Sequence, residues 1–253
     1  MDLPAFDPTN WVFVAGLVFA RMGALVMLLP GIAESGVPPR IRLSFALAFS
    51  LAIGPVVASR LPAEPQVFSA FIALLIYEVL IGLIIGAAAR FFLSVAAIAG
   101  QVIGYQTGLA MAQSFDPTQN SQGALPAAFL NIVFMLLLFS SNLHHMLLTT
   151  AAHSYDLMPA GEAPMMQDAA EWALGLFVDC FALGLQIASP LVVFGLIFYL
   201  GLGVLSKLMP QAQIFFIAMP LNILLGFAIL AISLGAMSLA WMERFEHFAA
   251  TLE

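Results

Sequence analysis

Six runs of apolar residues, at about 10–29, 41–58, 67–110, 124–150, 172–206 and 211–242, leave this chain almost no choice of solvent. A helix needs about 20 apolar residues to cross the hydrocarbon core of a bilayer, and each run approaches or exceeds that length. In that core the backbone must satisfy its own hydrogen bonds, so only helices or closed barrels span it, and these runs lack the period-two alternation of a barrel strand. The fold class is therefore all-α: an integral membrane protein of about six hydrophobic helical segments arranged as long, kinked hairpins. The breaks are chemically marked by Pro30-Gly31 through Pro38-Pro39, Arg60 to Pro65, Gln113 to Gly123, Asp156 to Glu171 and Ser206 to Gln213.

The lengths add a constraint. As single helices, 67–110 and 172–206 would reach about 66 Å and about 52 Å, beyond a hydrocarbon core of about 30 Å. Such segments either break or leave the bilayer. Pro190 and Pro220 can kink the two C-terminal runs, and the glycine-rich stretch after Gly100 can end the third. A helix that leaves the bilayer while apolar on most sides needs other protein to cover it, which argues for a subunit of a larger assembly. Residues 1–168 have shorter runs and polar loops, whereas 169–253 read as one long helical hairpin, and the two parts form halves of one membrane unit.

Composition excludes several functions. Hydrophobic residues make up 62% of the 253 positions and charged residues 8%, too few to clothe a water-soluble fold of this length. The net charge of −7 and the absence of clustered cations exclude nucleic acid and a polybasic lipid-binding stretch. Cys180 is alone in an apolar run and implies no disulfide framework. The acidic start from Met1 to Pro8 lacks a basic n-region, so the first apolar run is expected to stay in the mature chain. Placing the N-terminus outside puts Arg40, Arg42 and Lys207 on the cytoplasmic side and Arg60 and Arg244 outside, a weak positive-inside balance.

No nucleotide, nucleophile-elbow, zinc or dinucleotide motif occurs, and the adjacent His144 and His145 lack the four-residue spacing of a helical metal pair. The sequence thus points to no enzyme, cofactor or metal. It does show Glu78, Gly82, Gly86 and Arg90 spaced by four, with Gly100, Gly104 and Gly108 returning to nearly the same helical face. Eighteen residues from Gly82 to Gly100 make five turns, so a stripe of small residues permits close helix approach. Glu78 and Arg90 lie about 18 Å apart along the axis and cannot pair within one helix. Together with Arg21 and Asp179 they are intramembrane charges, which face a bundle interior, a subunit interface or water. Ion pairs that fix assembly and a proton relay are both open for them.

The stretch Met111 to Gly123 is polar yet nearly uncharged between two very apolar segments: Met111, Gln113, Ser114, Phe115, Asp116, Pro117, Thr118, Gln119, Asn120, Ser121, Gln122 and Gly123 carry it. It suits a surface turn opened by Asp-Pro, and equally a loop folded inward against protein or a water-filled cavity.

The run Glu78, Gly82, Gly86, Arg90, then Gly100-Gln101, Gly104, Gly108-Leu109 and Asp116-Pro117 resembles the central signature of the FliR/SctT family, the flagellar and injectisome type III export subunits. Arg21, Gly23, Pro30 and Val37-Pro38-Pro39-Arg40 resemble its first hairpin, and His144-His145 with Ser154 and Pro159 its middle segment. Lys207, Pro210-Gln211 and Met219-Pro220-Leu221 with Gly226 resemble its C-terminal hairpin turn. Lys207 stands where Arg is commoner, Gln213 where Asn is expected, and Ser141-Asn142-Leu143 precedes the His pair where Gly is usual.

The resemblance implies a helical export-gate assembly with FliP and FliQ, in contact with FlhB and FlhA, in the bacterial inner membrane at the flagellar basal body. It implies that 1–168 are FliP-like and 169–253 FliQ-like, that unfolded flagellar proteins are the cargo, and that Met111 to Gly123 plug the closed channel. The sequence separates flagellum from virulence injectisome poorly. A small-solute transporter or ion channel built on Glu78, Arg90 and Asp179 would show inverted repeats, and none is found. An intramembrane hydrolase has no paired nucleophile and base to support it.

Overall fold

The computed structural model describes residues 8–110, 125–163, 166–209 and 214–251. Seven α-helices account for most of them: α1 Pro8–Val26, α2 Pro39–Val57, α3 Phe68–Gln106, α4 Leu125–Ser140, α5 Leu143–Leu157, α6 Met166–Leu208 and α7 Ile214–Ala250, with a 3-10 turn at Ala58–Arg60 after α2. No strand occurs among the described residues, and the protein is an all-α membrane protein. Among the described residues four helices are long and apolar enough to cross a membrane by themselves, and the α4–α5 pair raises the number to five if it counts as one span. The described parts of all six apolar runs are mainly helical, but 124–150 holds two helices rather than one.

Local chemistry explains where these helices start and stop. Pro39 opens α2 behind an extended Pro38 (φ −58°, ψ 141°), where a missing N–H costs nothing and the ring presets φ. Asn142 breaks 124–150 by adopting the left-handed conformation (φ 60°, ψ 16°), which its short polar side chain tolerates better than most. Pro190 does not end α6, although it removes the N–H that would bond the Gln186 carbonyl. The Ser189 hydroxyl donates to that same carbonyl at 2.7 Å. Lipid would leave it unsatisfied, so the adjacent hydroxyl keeps the helix intact. Pro220 likewise lies inside α7.

The long runs therefore do not break. α3 has 39 residues, α6 has 43 and α7 has 37, so they extend about 58, 64 and 56 Å. Each is about twice the thickness of a hydrocarbon core. Lys207 lies exposed in the last turn of α6, while Pro210 and Gln211 of the expected hairpin turn lie outside the described residues, as does the segment from Met111 to Gly123.

The described residues divide into two compact units whose boundaries cross α3, α6 and α7: Met1–Phe91, Asn142–Leu176 and His247–Glu253 in one, Phe92–Ser141 and Phe177–Glu246 in the other. In the first, α1 packs on α2 and buries Val14, Leu17, Val18, Met22, Leu25 and Val26, a stripe at helical spacing. Ile81 and Ile85 of α3 and Leu147 and Ala151 of α5 share that interior. The second unit closes around Trp241. Its ring stacks on Phe134 at 4.8 Å and Phe245 at 5.2 Å, and its Nε1–H donates to the Phe92 carbonyl at 2.9 Å, so even the indole dipole is satisfied.

Candidate functional site

Arg21 is fully buried and organises the first unit. Its Nε donates to Glu78 Oε2 at 2.6 Å and its Nη2 to Glu78 Oε1 at 3.2 Å, a two-pronged ion pair from α1 to α3. Its Nη1 donates to the Ser154 and Met158 carbonyls, both at 3.0 Å, and reaches the Ser154 hydroxyl at 3.3 Å. The Tyr155 ring lies 3.9 Å from the guanidinium carbon. The two carbonyls belong to the C-terminal end of α5, where the helix dipole is negative; the Ser154 carbonyl also accepts the Met158 N–H at 3.0 Å. One guanidinium thus neutralises a carboxylate, ends a helix and ties three elements together. Among the described residues Arg21 and Glu78 are taken up by each other and by the end of α5, while the buried Tyr155 hydroxyl has no hydrogen-bond partner.

Gly82 and Gly86 let α3 approach α1 beside that pair. A Cβ at Gly82 would overlap the Arg21 carbonyl oxygen, and one at Gly86 would lie 2.9 Å from Leu28 Cβ and 3.0 Å from the Leu25 carbonyl oxygen. In the second unit a Cβ at Gly100 would overlap the Ala127 backbone, so α3 meets α4 at backbone contact. Gly104 is buried in the following turn.

The end of α3 is a second polar constellation. Thr107 donates its N–H to the Ile103 carbonyl at 2.9 Å and Gly108 donates to Tyr105 at 3.2 Å, while the Thr107 hydroxyl reaches the carbonyls of Ile103 at 2.8 Å and Gly104 at 3.4 Å. The last carbonyl, Gln106, accepts from Asn222 Nδ2 of α7 at 3.0 Å, which accounts for all four terminal acceptors. The chain then turns at Gly108 (φ +77°), a conformation that favours glycine. Asn222 is buried, and its Oδ1 has no partner among the described residues.

The four charges expected within the membrane separate. Arg21 and Glu78 are buried against each other, whereas Arg90 on α3 and Asp179 on α6 are exposed and join no ion pair among the described residues. Sequence reasoning required partners for Arg21 and Glu78 but missed Tyr155, Met158 and Asn222. Two of the Arg21 acceptors are main-chain carbonyls, which have no signature in residue type, and a lone Asn in an apolar helix carries no spacing pattern. No group of three or more His, Cys, Asp or Glu able to hold a metal occurs among the described residues.

Long apolar helices, packed through glycine notches and a buried ion pair, define a multi-pass, all-α membrane protein. The bacterial export proteins, family 1, match residues 12–248. Flagellar biosynthetic protein FliR of Caulobacter vibrioides is 39% identical over 241 residues, covering 95% of this chain and 96% of that protein. Flagellar biosynthetic protein FliR of Escherichia coli is 30% identical over 88% of this chain and 84% of its own length. Yop proteins translocation protein T of Yersinia pestis is 25% identical over 81% and 80%. This chain belongs to the bacterial export protein family 1.

Proposed function

We propose that this chain is a subunit of the flagellar type III protein export gate and forms part of the entry through which unfolded flagellar proteins cross the inner membrane. The observation that carries the reading is the 39% identity to a FliR over 95% of the chain, compared with 25% to the Yop translocation protein. The flagellar system is favoured over the injectisome on that ground. The role is structural, in company with other export apparatus proteins, and no chemical step is assigned to the chain. FliP and FliQ are its immediate partners in this reading, with FlhB and FlhA nearby, and residues 1–168 and 169–253 are its FliP-like and FliQ-like parts. Helices of about 56–64 Å support it, because they exceed a flat bilayer and suit an assembly that rises out of one.

A passage wide enough for an unfolded chain also passes ions, and each elementary charge crossing 100 mV releases about 2.3 kcal/mol. The resting lumen therefore needs a seal. The stretch Gln113 to Gly123, with Met111 and Phe115 as adaptable apolar surface, is that seal in this reading, since uncharged side chains can be displaced without breaking ion pairs. Deleting Ser114 to Gln122 is expected to make cells leak ions while the gate still assembles. Unchanged membrane conductance in cells that assemble the shortened protein would refute the seal.

A further inference from the structure

We infer that Arg90 marks an interface on α3 for a membrane helix of another subunit, and that this helix presents an Asp or Glu carboxylate at its level. The inference rests on reading this chain as one member of a multi-subunit membrane assembly.

Arg90 is exposed and makes no hydrogen bond or ion pair among the described residues, in contrast to Arg21, whose donors reach five acceptors. Its surroundings along the chain are apolar: from Pro65 to Phe115 the only other charged residue is Glu78, which is already consumed by Arg21. Arg90 also lies near the middle of α3, three residues past the midpoint of a 39-residue helix. A guanidinium in such a run is costly against lipid tails and is found facing protein or water.

The face it shares is patterned. Ile76, Val79 and Leu83 are exposed, Ala87 is half-buried, and Arg90 completes the series. Spacings of three and four residues over two heptads make the seam that a second helix fills with its own side chains. Ala87, one turn before Arg90, leaves room for close approach beside the charge. A lipid tail needs no such period. Arginine's fork holds a carboxylate with two parallel bonds, which fixes both the partner's chemistry and its register.

The test uses the full chain in its native membranes. First, the wild-type assembly is extracted in mild detergent and weighed by native mass spectrometry. Recovery of this chain alone would remove the reading on which the inference rests. With the assembly present, Arg90→Glu is expected to lose most of the co-extracted subunits while the chain stays inserted at wild-type level. Selection for restored export should then return an Asp or Glu changed to Lys or Arg in another membrane subunit. A photo-crosslinker in place of Leu83 reads the interface without altering the charge, and is expected to form an adduct with that same subunit. Wild-type co-extraction of Arg90→Glu, or crosslinks to lipid alone, would overturn the inference while leaving the assembly itself intact.

Discussion

At the scale of single residues the Arg21 cluster is the most demanding feature of the molecule. Removing one member of a buried ion pair leaves the other charge uncompensated, at about 3–5 kcal/mol. Glu78→Ala is therefore expected to lower the thermal stability of the detergent-extracted assembly sharply. Arg21→Lys should rescue little, because a compact ammonium cannot hold both carboxylate oxygens and reach the Ser154 and Met158 carbonyls together. A melt of Arg21→Lys that coincides with wild type would contradict this. The glycine notches give a graded prediction: Gly82→Leu and Gly100→Leu should reduce folded protein strongly, whereas Gly235→Leu, where an added Cβ meets nothing within 4 Å, should not. Comparing the yields of monodisperse protein from the three variants checks it. The sequence announced these positions because charge and glycine are conspicuous in an apolar run. It did not announce Asn222 or the Tyr155 ring, because their roles depend on which helices meet.

At the scale of elements, the apolar periodicity was legible and the breaks were legible only in part. Pro190 sits within a continuous α6, where the Ser189 hydroxyl donates to the Gln186 carbonyl that the proline leaves without its helical N–H. The interruption of 124–150 came from Asn142, held at φ 60°. That backbone choice follows from tertiary context and does not show in an apolar count. Asn142→Gly is expected to be nearly neutral in a thermal melt, since glycine adopts positive φ freely, whereas Asn142→Val should destabilise, since a β-branched residue there is strained. Equal melting of the two variants would show that the left-handed turn is not what separates α4 from α5.

At the scale of the whole molecule, each unit has a packed interior and a large apolar exterior. Phe129, Ile132, Leu136 and Phe139 line one exposed face of α4, and Leu196, Ile197 and Leu200 stand outward on α6. Lipid can cover part of this surface. Helices of about 56–64 Å extend beyond what a bilayer of about 30 Å core covers, so neighbouring protein is needed for the remainder. That mismatch of length was readable from the apolar runs alone, and it is the physical link between the sequence and membership of an export assembly.

The central claim is that this chain does not stand alone in the membrane, and native mass spectrometry of the gently extracted protein from its own cells tests it most directly. The account predicts that this chain is recovered in a particle containing other membrane subunits of the export apparatus. A stable, monodisperse single chain, with its long helices covered by detergent and lipid only, would contradict it.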